Sequence, residues 1–82
     1  MPWYDFIWNT GVDGNAAHIA EHGIDVVAVE TIVCNPIRLQ RSRTTGRPIA
    51  IGRSSDGRLI AVVYEHLDLV TVYPITAFEV EE

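Results

Sequence analysis

A pair of histidines one helical turn apart is the feature of this sequence that most resembles a metal site. His18 and His22 enclose Glu21 in the H-x-x-E-H pattern that some zinc proteases use. Residues four apart share one helix face, which is the geometry that zinc needs. A catalytic site also needs a third ligand, and the remaining histidine, His66, falls in a predicted turn. Because Gly23 is typical of a helix C-cap, we interpret the motif as a helix end and expect no metal and no cofactor.

The positive charge of the chain lies in one segment. The 82 residues include six arginines and no lysine, and the net charge is −5. Residues 1–37, 38–58 and 59–82 carry −5, +5 and −5. Arginine forks match phosphate oxygens, so such a basic surface favours an anionic partner. The alternative is that these arginines pair with the acidic flanks inside the fold. The predicted nucleic-acid-binding residues are Arg38, Arg41, Arg43, Arg47, Arg53 and Arg58.

Metal-free RNA cleavage is one reaction that these residue types can support. It needs a base near the ribose 2′-hydroxyl, an acid for the leaving oxygen, and positive charge at the phosphate. The charge is available from Arg47, Arg53 and Arg58. The candidates for proton transfer are His22, Tyr64, Glu65, His66 and Tyr73. Spacing alone singles out none of them.

The length of the chain predicts a single domain over residues 1–82, with a thin core supported by its 48% apolar content. Cys34 is the only cysteine, so no disulfide can form within the chain, and we expect a buried, inert thiol. No apolar run is long enough to span a bilayer, and the N-terminus lacks signal-peptide features. The expectation is a cytoplasmic protein with no membrane partner, and the sequence is compatible with a homodimer.

The predicted fold class is α+β, with an N-terminal strand, two short helices and a three-stranded antiparallel meander that the first strand joins. Residues 3–8 alternate as a strand does. Asn15 or Asp13 is expected to cap the first helix, which runs through His22. The second helix is predicted to begin at an Asp25 cap and to end at Asn35-Pro36; its many β-branched residues keep a strand as the alternative.

Residues 38–46 have no apolar periodicity and are predicted to form a mobile basic loop. The three meander strands follow at Arg47–Arg53, Arg58–His66 and Val70–Ala77, with a tight Asp-Gly turn between the first two. Arg53 is expected opposite Arg58, which places Ile49, Ile51, Ile60 and Val62 on one face. Both faces would then be apolar, so we expect one to hold the helices and the other to meet a partner or ligand. Pro74 predicts an edge or a bulge in the last strand.

Taken together, these segments resemble the BrnT-type toxins of bacterial toxin–antitoxin pairs and related small domains. The resemblance lies in FIW (6–8), HIAEHGI (18–24), NP (35–36), RPIAIGRSSDGRLIAVVYE (47–65) and TVYPITAFEVEE (71–82). It implies a fold similar to RelE-like ribonucleases. It also implies a cognate antitoxin that masks the toxin, and RNA as a substrate.

Matching residue by residue, the resemblance places the helix end at His22, the opening of the central strand at Arg47, and the ends of the next strand at Arg58 and Tyr64. These four are the expected catalytic residues of a metal-free endoribonuclease. The toxins carry a basic C-terminal stretch, whereas this chain ends in Glu79, Glu81 and Glu82. The alternative is therefore a catalytically inactive interaction module of the same fold. It would bind an acidic protein or nucleic acid through its arginine-rich loop.

Overall fold

A computed structural model describes residues 4–81 as a five-stranded mixed sheet with two helices packed on one face. In chain order the elements are β1 Asp5–Phe6, α1 Asn15–Glu21, α2 Val26–Cys34, β2 Arg38–Arg41, β3 Pro48–Arg53, β4 Leu59–His66 and β5 Thr71–Glu79. The sheet order is β1-β5-β4-β3-β2, with β1 parallel to β5 and the other neighbours antiparallel. The predicted α+β class is confirmed, and β1 joins the sheet as expected. The part of the predicted first strand at Trp3 lies outside the described residues.

The two helices differ in how they begin. The Asp25 carboxylate accepts a hydrogen bond of 2.8 Å from the backbone of Ala28, so the predicted cap and the helical form of α2 are confirmed. At α1 the N-cap is Gly14, which has no side chain to offer, and the prediction that Asp13 or Asn15 caps this helix was wrong. Asn15 is instead the first helical residue, and its side chain is buried. At the other end of α1, Gly23 adopts a φ of 75°, the left-handed conformation expected of it.

The segment predicted as a loop over residues 38–46 contains a strand. Residues 38–41 form β2, which pairs along its length with β3, and a short turn then leads into β3. All four β2 residues are exposed. The segment therefore lacks the alternation of apolar and polar residues by which a half-buried strand is recognised in a sequence. The predicted three-stranded meander is therefore part of a larger sheet.

The β3–β4 hairpin is shifted by one residue from the predicted register. Arg53 pairs with Leu59 rather than with Arg58, and Ile51 pairs with Ala61. The cause lies in the turn, where Gly57 at a φ of 87° adds one residue to the loop. A shift of one residue reverses the faces of a strand. Ile60 and Val62 consequently lie on the helix face, and the prediction that they share a face with Ile49 and Ile51 was wrong.

The core forms between the helices and one face of the sheet. Its fully buried side chains include Ile19 and Ile32 from the helices, and Ile60, Val62 and Val72 from the strands. Pro74 is also buried, and the pairing of β4 with β5 shifts at Val63/Tyr64, opposite this proline. That shift confirms the bulge that the proline predicted. Neither helix among the described residues is long and apolar enough to cross a membrane.

Candidate nucleic-acid cleft

A cleft of about 420 Å³ opens where the end of β4 meets the β2–β3 turn and the residue before β1. Antiparallel pairing of β2, β3 and β4 brings these chain segments to the same end of the sheet, although they are far apart in sequence. The lining residues are Tyr4, Leu39, Arg41, Thr45, Gly46, Arg47, Pro48, Tyr64, Glu65 and His66. By strand alternation Glu65 lies on the opposite side of the sheet from its neighbours Tyr64 and His66, at the edge of the cleft.

Three rings form an aromatic cluster in this cleft. The ring centroid of His66 lies 5.3 Å from that of Tyr4 and 5.6 Å from that of Tyr64, and both contacts are edge-to-face. Such contacts are made by the imidazole ring and do not require hydrogen bonds from both of its nitrogens. The cluster therefore places the imidazole against the rings of two tyrosines.

Two arginines supply the positive charge of the cleft. One guanidinium nitrogen of Arg41 donates a 2.9 Å hydrogen bond to the carbonyl of Gly46, which holds this side chain against the β2–β3 turn. Within residues 4–81, neither Arg41 nor Arg47 forms an ion pair with a carboxylate. Their charge is therefore available to an anion in the cleft.

Three of the predicted candidates for proton transfer line the cleft: Tyr64, Glu65 and His66. The Nδ1 of His66 lies 3.3 Å from the carbonyl oxygen of Asp68, and a carbonyl can only accept a hydrogen bond. Nδ1 is therefore the donor in this contact, and in a neutral ring the lone pair lies on Nε2. Burial raises the pKa of the Tyr64 hydroxyl, and nearby Tyr4 adds to this effect, while the charge of Arg41 opposes it. Tyr64 thus remains a protonated donor at neutral pH.

A second cavity, of about 390 Å³, adjoins the cleft. The two share Tyr4, Leu39 and Tyr64 as a common wall, and the second is otherwise lined by Val33, Cys34, Asn35 and Pro36. Cys34 is buried, as the sequence predicted. A cationic cleft beside a largely apolar cavity suits a ligand with an anionic part and a flat apolar part, which describes a nucleotide.

The four expected catalytic residues do not come together. Arg47 and Tyr64 line the cleft, but His22 and Arg58 do not. Arg58 donates hydrogen bonds to the Gly23 carbonyl at 2.7 Å and the Asp56 carboxylate at 2.9 Å. It lies 3.6 Å from a carboxylate oxygen of Glu79 as well. Arg58 therefore ties the β3–β4 turn to the end of α1, and we assign it a structural role.

The other expected binding residues also divide by location. Arg38 lies on β2 away from the cleft, and Arg43 is exposed in the β2–β3 turn without lining the cleft. Arg53 donates a 2.8 Å hydrogen bond to the Gly57 carbonyl in the β3–β4 turn. Of the six predicted nucleic-acid-binding arginines, Arg41 and Arg47 reach the cleft. Tyr73, a candidate for proton transfer, lies on the far face of the sheet opposite Glu65.

The histidine pair at the end of α1 is engaged in local contacts. The rings of His18 and His22 meet edge-to-face with centroids 5.3 Å apart. The two ring nitrogens of His18 lie 3.1 Å from the Thr76 hydroxyl and 4.0 Å from a Glu21 carboxylate oxygen. Across residues 4–81, no three histidine, cysteine or acidic side chains are grouped closely enough to hold a metal ion.

The sequence pattern did not identify Tyr4 as a site residue, and it gave His66 no preference over other proton-transfer groups. Tyr4 looked like one ring of an aromatic strand, and its neighbour in the cleft is 62 positions further along the chain. The parallel pairing of β1 with β5 and the antiparallel pairing of β5 with β4 bring the two together. Comparison of this chain with protein-family models, with curated proteins and with solved structures finds no match.

Proposed function

We propose that this protein is a metal-free endoribonuclease with a RelE-like fold, of the kind found in BrnT-type toxins and held inactive by a cognate antitoxin. The observation that carries the proposal is the cleft, where two arginines without carboxylate partners lie beside His66 and Tyr64. The resemblance to the BrnT-type toxins supports the same function from the sequence. The cytoplasm would be the place of action.

The proposed reaction uses the 2′-hydroxyl of the RNA as its nucleophile. Nε2 of His66 removes the proton from that hydroxyl, and the resulting oxygen attacks the adjacent phosphorus. The bond from phosphorus to the 5′-oxygen breaks, and the Tyr64 hydroxyl donates a proton to the departing oxygen. The products are a 2′,3′-cyclic phosphate and a free 5′-hydroxyl. Arg41 and Arg47 stabilise the charge that develops on the phosphate oxygens.

The arrangement of the four groups gives the proposal a clear test. Purified protein is incubated with a fluorescent single-stranded RNA in the presence of EDTA, and cleavage is followed on a denaturing gel. The Arg41→Ala/Arg47→Ala and His66→Gln variants should each lose at least about a hundredfold in rate, because each removes a group acting in the transition state. Arg43→Ala is the matched control, since Arg43 is an exposed arginine of the same turn that does not line the cleft.

A substrate with a single 2′-deoxy sugar checks the chemistry separately from binding. This substrate lacks the nucleophile, so cleavage at that position should stop while binding persists. Equal rates for Arg41→Ala/Arg47→Ala and Arg43→Ala would show that the cleft is not the site.

The second candidate function is a binding module of the same fold without catalysis. Two observations favour this candidate. The side chain of Arg58 is engaged in contacts within the fold, with the Gly23 carbonyl and the Glu79 carboxylate, and His22 does not line the cleft. RNA that binds through Arg41 and Arg47 but stays intact would establish this function. RNA that neither binds nor breaks would exclude the ribonuclease and the RNA-binding form of the module, and would leave an acidic protein as the partner to test.

A further inference from the structure

The face of the sheet opposite the helices is apolar and has no helix packed on it. Both helices contact the other face, where Ala50, Ile60 and Val62 are buried in the core. We name the remaining face the open face, and its apolar side chains are Ile49, Ile51, Leu59, Val63, Tyr73 and Phe78. These side chains are half-buried, and Phe78 is 40% exposed. A continuous apolar surface of this kind marks an interaction site.

Charged residues lie at two opposite corners of the open face. Arg38 on β2 pairs with Ile51, so it shares that face at its β2–β3 corner. Asp5 on β1 pairs with Thr71, and Glu65 on β4 pairs with Tyr73, which places both acids toward the diagonally opposite corner. Within residues 4–81, Arg38, Asp5 and Glu65 take part in no ion pair.

This diagonal arrangement is complementary to itself. Consider two copies packed open face to open face, with a two-fold axis between them that runs perpendicular to the line joining the charged corners. This axis places the basic corner of each copy on the acidic corner of the other. Arg38 of one copy then falls between Asp5 and Glu65 of its partner, and the reverse contact forms by symmetry. The apolar side chains between the corners meet each other at the centre.

The corners also match in shape. A shallow, largely apolar cavity of about 380 Å³ lies at the basic corner; it is lined by Arg38, Glu81 and the apolar residues Ile37, Ile51, Leu59 and Val80. At the acidic corner, Ile7 follows β1 and is 42% exposed. Its backbone amide donates a hydrogen bond to Val72, which continues the pairing of β1 with β5. The same two-fold axis brings Ile7 of one copy over the cavity of the other.

The size of the open face sets the expected affinity. Five strands about 4.8 Å apart and about six residues long give a plan area of about 400 Å² per chain. Specific interfaces bury about 600–1,000 Å² per partner. The relief of the side chains and the charged rim add accessible area to this plan area, which brings the face toward the lower limit of that range. The expected dimer is therefore a small one that dissociates with dilution.

From these observations we infer that the chain forms a two-fold homodimer through its open face, with Arg38 of each copy between Asp5 and Glu65 of the other. The inference does not depend on the proposed ribonuclease function. The cleft and the dimer contact share Glu65, but the dimer uses none of the residues to which a role in cleavage is proposed, Arg41, Arg47, Tyr64 and His66.

The first test is the molecular mass in solution, measured by sedimentation equilibrium over a dilution series. The wild-type protein should reach twice its chain mass of 9.1 kDa at high concentration. Val63→Glu places a charge at the centre of the open face and should give a monomer. Val12→Glu is the matched control, because Val12 is 93% exposed in the turn before α1 and should leave the dimer unchanged. A wild-type monomer at the highest soluble concentration would overturn the inference, and so would a dimer in Val63→Glu.

The second test distinguishes the proposed pairing from any other use of this face. It changes two exposed residues, so both variants should fold as the wild type does. Arg38→Glu and Glu65→Arg each bring like charges together across the dimer and should weaken it about tenfold or more. Mixed in equal amounts, the two variants should form a heterodimer. Arg38 of the Glu65→Arg copy then meets both Asp5 and Glu65, and the glutamate at position 38 of the other copy meets an arginine as well as Asp5. Failure of the mixture to associate more tightly than either variant alone would refute the two-fold arrangement.

Discussion

The buried side chain of Asn15 should be one of the strongest single contributors to the stability of this domain. Its amide nitrogen donates to the carbonyls of Ile7 at 3.0 Å and Pro74 at 2.8 Å, and its oxygen accepts from the amide of Asn9 at 2.8 Å. One side chain, 5% exposed, therefore joins the start of α1 to the chain after β1 and to β5. Asn15→Ala removes all three bonds at once.

The cost follows from which of these partners can reach water. The carbonyl of Pro74 is buried, and leaving it without a partner costs about 1–3 kcal/mol. The bonds to Ile7 and Asn9 are partly buried and contribute about 0.5–1.5 kcal/mol each. We expect a loss of about 3 kcal/mol, a large share of the roughly 4–12 kcal/mol typical of a domain of this size.

Urea denaturation followed by tryptophan fluorescence measures this loss. With a dependence of about 1 kcal/mol/M, the midpoint should fall by about 3 M. Asn35→Ala is the matched control, since Asn35 is exposed and its side chain has no hydrogen-bond partner in the described part of the chain. It should change the free energy of unfolding by less than about 0.5 kcal/mol. Equal effects of the two substitutions would refute the assignment of Asn15 as a buried anchor.

Two further predictions concern the core of the sheet. Burial raises the pKa of Tyr64, so the folded state favours the protonated hydroxyl more strongly than the unfolded state does. This contribution to stability is fully present below the ordinary tyrosine pKa of 10.0 and is lost as the pH rises through the folded-state pKa. The thermal midpoint of the wild type should therefore fall more steeply above pH 10 than that of Tyr64→Phe, and parallel curves would contradict the prediction. A Cβ on Gly52 would lie 3.3 Å from two side-chain carbons of Ile32, so Gly52→Ala should destabilise the domain by about 1–2 kcal/mol. Ile32→Ala removes both of these carbons, so the double variant should lose less stability than the sum of the two single variants, as a double-mutant cycle in urea would show.

The parts of the fold that the sequence predicted are those with a local physical cause. Asp25 caps α2 because a carboxylate at that position reaches the free amide of Ala28, and this requires no knowledge of the rest of the molecule. Gly23 ends α1 for a similar reason, since its left-handed φ is costly for other residues. Asn15 looked like a cap by the same logic. Its side chain instead bonds to β5, which sequence spacing cannot reveal.

The parts that the sequence did not predict depend on pairing between distant segments. β2 is an edge strand with exposed side chains, and only its backbone bonds to β3 make it a strand. The register of the β3–β4 hairpin depended on one glycine in the turn. The cleft could be predicted in part, because Arg47 and Tyr64 were named as site residues, but Tyr4 and His66 meet only through the order of the sheet.

The sequence left two readings of its arginine cluster, and the structure assigns different residues to each. Arg58 supports the reading in which arginine pairs with acidic flanks inside the fold, since it contacts Glu79 of the C-terminal flank. Arg38, Arg41 and Arg47 have no carboxylate partner among residues 4–81, which supports the reading of an anionic partner. Residues 38–58 thus include one arginine that stabilises the β3–β4 turn and three that have no carboxylate partner among residues 4–81.

The position of the unpaired arginines also decides how copies of the chain can associate. β2 is the edge of the sheet, and an edge strand exposes backbone groups that can pair with another copy. Arg38 and Arg41 stand at the two ends of β2, so two such edges brought side by side would place like charges together. The open face has no such repulsion, because the charge at its basic corner is matched by carboxylates at the opposite corner. The proposed dimer therefore uses the face rather than the edge, and its two-fold contact closes after two copies.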